Sequence, residues 1–169
     1  MHVRLLREAD IDDFWRLRLR GFREEPESFG TSYEEAVGRS MADVTRDFQR
    51  DGVIVAGAFS PALVGIAGLE RETRHKRRHR ATLWGMYVAA EARGQGVGRA
   101  LVDELVRAAR ASSGLEQILL TVKAHNEPAI ALYKKLGFEI YGTASRAMLL
   151  GDRAFDEALM RLDLKRPGA

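Results

Sequence analysis

The sequence predicts an α/β chain: a mixed, mostly antiparallel sheet of six to seven strands, flanked by about four helices, with one βαβ unit at its centre. Three observations predict it. Short β-rich runs separated by turn residues fill much of residues 53–88 and 116–163, an apolar period near 3.6 runs through residues 97–111 between two of those strands, and a glycine-rich stretch joins strand to helix. At 169 residues, with 46% hydrophobic and 30% charged residues and no low-complexity linker, the chain is expected to form a single domain over 1–169.

Each element has its own warrant. Met1 leads into strand-like "HVRLL" rather than a signal peptide. "DIDDFWRLRLRGF" offers acidic caps at Asp10, Asp12 and Asp13 and sets Phe14, Leu17 and Phe22 on one face, predicting a helix over about 10–24. Pro26 stops it, "PESFGTS" is a polar loop leading into "YEEAVGR", and Ser40 with Asp43 three residues on marks another helix start, so short helices precede the sheet. "VIVAGAFS" and "LVGIAGLERE" flank Ser60-Pro61-Ala62 as an antiparallel hairpin, and "ATLWGMYV" reads as a third strand. The helix over about 97–111 turns Val97, Leu101, Val102, Leu105 and Val106 inward, and "EQILLTV" is a buried strand, so strand, helix and strand form a right-handed parallel crossover. "NEPAIALYKKLGF" adds a helix with Asn126 as N-cap, Pro128 in the first turn and Gly137 as its stop. "FEIYGTASRAMLL" and "AFDEALMRLDL", joined at Gly151-Asp152, close the chain as a hairpin.

Composition excludes several chemistries. There is no cysteine, which removes disulfides, zinc–thiolate sites and cysteine nucleophiles together. No apolar run reaches the roughly 20 residues of a membrane span, so no membrane partner and a cytoplasmic location are expected. His2, His75, His79 and His125 lack metal-ligand spacing, and no metal is expected. The net charge of +3 is concentrated in "RETRHKRRHR", residues 71–80, which holds six Lys/Arg against one Glu; the rest of the chain is net negative. No aromatic residue interleaves with these charges, so a nucleic-acid partner is not expected, and attraction of an acidic substrate or of a cofactor's phosphates is the better use of the loop.

The glycine stretch carries the most chemistry. In "EARGQGVGRALVDEL", Gly94, Gly96 and Gly98 stand where a helix begins, and a helix start with small side chains presents unpaired N–H groups and a positive dipole end to an anion such as phosphate. An unliganded tight turn is the structural alternative. Two nucleotide templates fail: a P-loop needs Lys-Ser/Thr after its last glycine where this chain has Arg99-Ala100, and a Rossmann fingerprint counted from Gly94 meets Arg99 at its third glycine.

Arg-x-x-Gly-x-Gly, at Arg93, Gly96 and Gly98, five residues beyond Val88, resembles the acetyl-CoA motif of the GNAT N-acetyltransferase superfamily. "NEPAIALYKKLGFEIYG" is similar to that superfamily's Asn-x6-Tyr followed by Leu-Gly-Phe, and the order of elements agrees over nearly the whole chain. The resemblance implies a GNAT-like fold, acetyl-CoA as acetyl donor and an amine as acceptor. It implies that the amides of Gly94, Gln95, Gly96, Val97, Gly98 and Arg99, with Arg93, hold the cofactor pyrophosphate. Met86, Tyr87 and Val88 would then offer backbone groups to the pantetheine arm, and Asn126 would contact it while also capping its helix. A homodimer is also implied.

Acetyl transfer needs an unprotonated amine and a proton for the departing thiolate. Similar enzymes place a tyrosine near the sulfur, which makes Tyr133, two turns beyond Asn126, the candidate acid; a core tyrosine is the alternative reading. In ribosomal-protein alanine acetyltransferases a glutamate stands five residues before the Asn, but here that position is Thr121, so the base does not carry over. Glu70 and Glu72 are candidate bases acting through water, with Glu70 preferred. Glu34 or Glu35 could bind a cationic substrate, and Glu157 is a further candidate. "GFREEPESFGTSYEEA" is similar to the acceptor-side segment of small-molecule GNAT enzymes, which points to Phe29, Ser32 and Tyr33 as substrate-binding residues. The competing functions are a non-catalytic acyl-CoA sensor, a protein N-terminal or lysine acetyltransferase, and a nucleic-acid-associated protein.

Overall fold

A computed structural model describes residues 1–164 of the chain. Its strands are β1 (His2–Leu5), β2 (Val53–Phe59), β3 (Leu63–Arg71), β4 (Arg80–Val88), β5 (Gln117–Lys123), β6 (Glu139–Leu150) and β7 (Arg153–Asp163). The helices are α1 (Ile11–Glu24), α2 (Tyr33–Val37), α3 (Met41–Phe48), α4 (Val97–Ala111) and α5 (Glu127–Lys135). The strands form one sheet in the order β1-β2-β3-β4-β5-β7-β6, in which only β4 and β5 run parallel.

Five α-helices stand where about four were expected. "YEEAVGR" supplies the additional one, because the Ser32 side chain accepts from the Glu35 N–H while Glu35 reaches back to Ser32, closing a capping box over a segment of only five residues. The closing hairpin also has a position that its letters do not specify. β7 inserts between β5 and β6, pairing with β5 from Gln117↔Asp163 to Lys123↔Glu157, so β6 becomes the sheet edge.

The sheet has a core on each face. On one side α4 lays Val97, Leu101, Val102, Leu105 and Val106 onto the sheet, with Ile118, Leu120, Tyr133, Phe138 and Met160 completing the layer. On the other, α1 to α3 bury Phe14, Trp15, Leu17, Phe22 and Val44 against Val55, Ile66 and Tyr87. Both faces of β3 and β4 are therefore covered, which is why these strands read as apolar runs rather than alternating ones. Among the described residues no helix is long and apolar enough to cross a membrane.

Candidate active site

The site is built on a failure of strand pairing. β4 and β5 are bonded only from Arg80↔Gln117 to Thr82↔Leu119, and beyond Thr82 they diverge. β5 continues on β7, while the β5-facing edge of β4 from Leu83 to Val88 has no strand beside it. A bulge increases the divergence. Ile66 pairs with Tyr87 and Gly68 with Trp84, so Gly85 and Met86 together oppose Ala67 alone. Gly85 carries the bulge at φ +64°, a conformation that a side chain resists. A glycine inside an apolar strand was the available signal for it, and it was overlooked in the sequence.

At the end of β4 the chain makes a short 3-10 turn, Ala90–Ala92, and enters α4 through the glycines. Gly94 and Gly96 sit at φ +72° and +79°, and a Cβ built on either meets no protein atom within 4 Å. Backbone conformation, rather than crowding by protein atoms, requires glycine there. At Gly98 the φ is ordinary and the limit is Leu132 of α5, whose Cδ2 would lie 3.2 Å from an added Cβ. Gly96 caps α4 without a side chain, and the first intrahelical bond runs from the Ala100 N–H to the Gly96 carbonyl at 3.0 Å. Among the described residues the amides of Gly94 to Arg99 find no protein acceptor, which leaves a cluster of N–H donors at the positive end of a 15-residue helix.

Gly94, Gly96, Val97, Gly98 and Arg99 of this stretch line a cleft of about 600 Å³ together with Arg93, Met86, Tyr87, Val88 and Asn126. Gln95 is not among its lining residues; its side-chain Nε2 donates to the Glu91 carbonyl at 3.0 Å and secures the turn. Arg93 Nε donates to the Val88 carbonyl at 2.9 Å and its Nη1 pairs with Glu25 at 2.9 Å, tying the end of β4 to the segment after α1. Asn126 accepts from the Ala129 N–H at 3.2 Å and caps α5 from within the cleft. The Tyr87 hydroxyl donates to Glu24, which with Glu91 receives Arg20, so α1 holds the β4 terminus from below. Burial, with Glu24 second, pushes the Tyr87 phenol up to about 12.

A smaller cavity of about 140 Å³ continues inward and shares Phe29, Met86, Asn126 and Ala129 with the cleft. Tyr133 lines it, together with Thr121 and Trp84. The Tyr133 side chain is buried at 5% exposure, its ring meeting Phe138 edge-on at 5.6 Å, and burial pushes its phenol up to about 12. A phenol so held keeps its proton at any ordinary pH, which suits an acid and not a base. No Asp or Glu lines this inner cavity.

The remaining candidates lie elsewhere. Glu70 pairs with Arg50 at 2.8 Å and lines a separate cavity of about 170 Å³ rather than the one holding Tyr133. Glu72 pairs with Arg77 at 3.4 Å at the far end of the sheet, and Glu157 stands opposite Lys123 on β7. Ser32 and Glu35 are spent on the α2 cap, and Glu34 is exposed. Tyr33 stacks under Arg23, its hydroxyl accepting from that guanidinium at 2.5 Å, and lines neither the cleft nor the inner cavity. Of the three acceptor-side residues only Phe29 lies in the cleft. Among the described residues no three His, Asp or Glu side chains gather as metal ligands do.

Two further groups border the site. Glu27, in the short turn Pro26–Ser28, bonds Lys123 of β5 and, at 2.8 Å, Arg153 of β7, which pins the turn over the divergent strands. Arg18, one turn before Phe22 on α1, stacks its guanidinium between the Phe22 and Trp84 rings, 4.8 Å from each. Neither was singled out in the sequence, because both depend on contacts across more than 60 residues.

Comparison with known proteins accords with this geometry. The chain is 32% identical over 151 residues to a mycothiol acetyltransferase of Acidothermus cellulolyticus, covering 85% of this chain and 46% of that protein. It is 34% identical over 98 residues to an L-amino acid N-acetyltransferase of Escherichia coli, covering 58% and 60%. The chain thus spans about half the length of these curated relatives. A phosphinothricin acetyltransferase from Sinorhizobium meliloti, solved in complex with acetyl-CoA, shares the fold with a TM-score of 0.81 at 24% identity, over 96% of this chain and 87% of that one. The model of the Acetyltransferase (GNAT) family matches residues 18–138, well over half of the chain, and the chain belongs to that family.

Proposed function

We propose that the chain is an acetyl-CoA-dependent N-acetyltransferase acting by direct attack on a primary amine of a small molecule. One observation carries the reading: free helix amides and an unpaired strand edge line a cleft whose wall residues Phe29, Met86, Asn126 and Ala129 also line the cavity of a buried protonated phenol. The amides of Gly94 to Arg99, with Arg93, would take the pyrophosphate of the donor, and the open edge at Met86 to Val88 would take its pantetheine arm as an extra strand. The names of the relatives, acetyltransferases of mycothiol and of L-amino acids, support a small acceptor.

In the step itself the amine nitrogen bonds to the acetyl carbon as the carbon–sulfur bond breaks. The Tyr133 hydroxyl gives its proton to the departing thiolate, and the surplus proton on nitrogen leaves to water, from which Tyr133 is reprotonated. With no carboxylate in the inner cavity, the amine must arrive neutral. For an alkylamine of pKa about 10.4 that state is roughly one molecule in 10³ at pH 7, a handicap of about 4–5 kcal/mol that desolvation in an apolar cavity reduces. The rate is therefore expected to rise about tenfold per pH unit below the amine pKa. On this reading Glu70 binds no proton in the reaction.

Free-thiol release from acetyl-CoA across a panel of amines tests the proposal. Amine-dependent release supports it; tight acetyl-CoA binding without release from any amine would point instead to a sensor. We further take the chain as one domain working in the cytoplasm, where acetyl-CoA is available, and as a homodimer through the edge strand β6, whose Ile140, Tyr141, Leu149 and Leu150 are exposed. Sedimentation equilibrium checks the last point.

A further inference from the structure

Arg18 is a cation without a counter-ion. Its Nη1 is buried and has no hydrogen-bond partner, and among the described residues no carboxylate lies within ion-pairing distance of it. The cavity that it lines, about 170 Å³, holds three guanidinium groups and two carboxylates. The carboxylates are already taken: Asp47 pairs with Arg39 at 2.5 Å and Glu70 with Arg50 at 2.8 Å. Arg18 is thus the uncompensated charge, and burial, then repulsion from Arg39, pushes its pKa down to about 10. It still carries its charge at neutral pH, so a buried donor and a buried positive charge are both left unmet.

The neighbourhood connects this charge to the chemistry. Trp84 stacks on Arg18, lines both this cavity and the inner one with Tyr133, and has its own buried indole N–H without a partner. The Arg18 Nη1 lies against Gly85, at the site a Cβ would fill, and Gly85 lines the inner cavity next to Met86. The two cavities thus share Trp84 and meet at the Trp84–Gly85 step of β4.

Resting on the proposed acetyl transfer, we propose that Arg18 is the specificity determinant for the acceptor and binds a carboxylate, so that the preferred substrate is an amino acid or a similarly short amino-carboxylate rather than a simple amine. A carboxylate supplies what the site lacks: a negative charge and acceptor oxygens for the unpaired guanidinium. A polyamine would bring further positive charge to a cavity already in excess of it. The aromatic sandwich alone would hold Arg18 as a structural side chain, and the test must separate the two roles.

Matched pairs do so: L-methionine against 3-(methylthio)propylamine, and L-phenylalanine against phenethylamine, assayed by thiol release with wild type, Arg18→Met and Arg18→Lys. The ratio of kcat/KM within a pair is independent of the fraction of enzyme that is folded. Wild type is expected to favour the amino acid, Arg18→Met to lower that ratio about 10- to 100-fold, chiefly through KM, and Arg18→Lys to restore part of it. An equal loss for both members of a pair, or a wild-type preference for the amine lacking the carboxylate, overturns the proposal. Should no amine be turned over, calorimetric binding of N-acetyl-L-methionine in the presence of coenzyme A decides it independently. Binding that Arg18→Met abolishes supports the anchor even as catalysis fails, and no binding to wild type rejects it.

Discussion

At Gly96 the backbone occupies φ +79° with open space where a side chain would stand, so substitution there changes strain and little else among protein contacts. Gly96→Ala is expected to cost about 1–2 kcal/mol, a fall in Tm of about 2–8 °C for a chain of this size. It should also weaken acetyl-CoA binding through the displaced amides, and calorimetry with acetyl-CoA measures both effects. Tyr133 has a different signature. Its folded pKa near 12 lies above the ordinary 10, so the stability linked to its neutral form is complete below pH 10 and is lost as pH rises through about 12. Activity should therefore show no alkaline fall from this phenol below about pH 11, and a pH–rate profile with an acceptor of known pKa checks it. At this scale the sequence was informative wherever a role is local. Asn126, three residues before the amide it caps, and Gly94 and Gly96, at a helix start, were visible as such; Arg18 was not, since its lack of a partner depends on Trp84, 66 residues away.

The elements that shape the cleft divide in the same manner. α4 was legible to the residue, from Val97 to Ala111, because a 3.6-residue apolar period is a property of the stretch itself. Leu101, at the centre of that face and fully buried, should cost about 2–5 kcal/mol when cut to Ala, read by denaturant unfolding. Whereas the bulge at Gly85 had the glycine itself as its local sign, the insertion of β7 beside β5 was not legible, since pairing partners are set by which surfaces the helices cover. The turn Pro26–Ser28 is another such case, held by Glu27 across to Lys123 and Arg153. The hydrogen bond from Lys123, then the charges of Arg153 and Lys123, hold the Glu27 carboxyl below its ordinary 4.5. A depressed folded pKa means that the clamp's contribution is present above 4.5 and is lost as pH falls through the lower folded value. Glu27→Gln should leave Tm nearly unchanged, as for exposed pairs, yet raise amide hydrogen exchange in residues 25–29 and the KM for the amine.

Across the molecule, the sheet is continuous from β1 to β4 and from β5 through β7 to β6, and it parts between β4 and β5 after three paired residues. The core under α4 and α5 spans both parts of the sheet, while that under α1–α3 covers β2 to β4. The glycine turn, the free edge of β4, Asn126 and Tyr133 come together at that opening, although they are spread over residues 86–133. Local patterning announced the parts, whereas their convergence is a property of the topology. The most direct test of the central claim, that acetyl transfer takes place in this opening with Tyr133 as its acid, is a paired measurement on Tyr133→Phe: kcat by thiol release and acetyl-CoA dissociation constant by calorimetry. A fall in kcat of about 10²-fold or more with the dissociation constant unchanged within about threefold is the expected result, and wild-type turnover in the variant would contradict it.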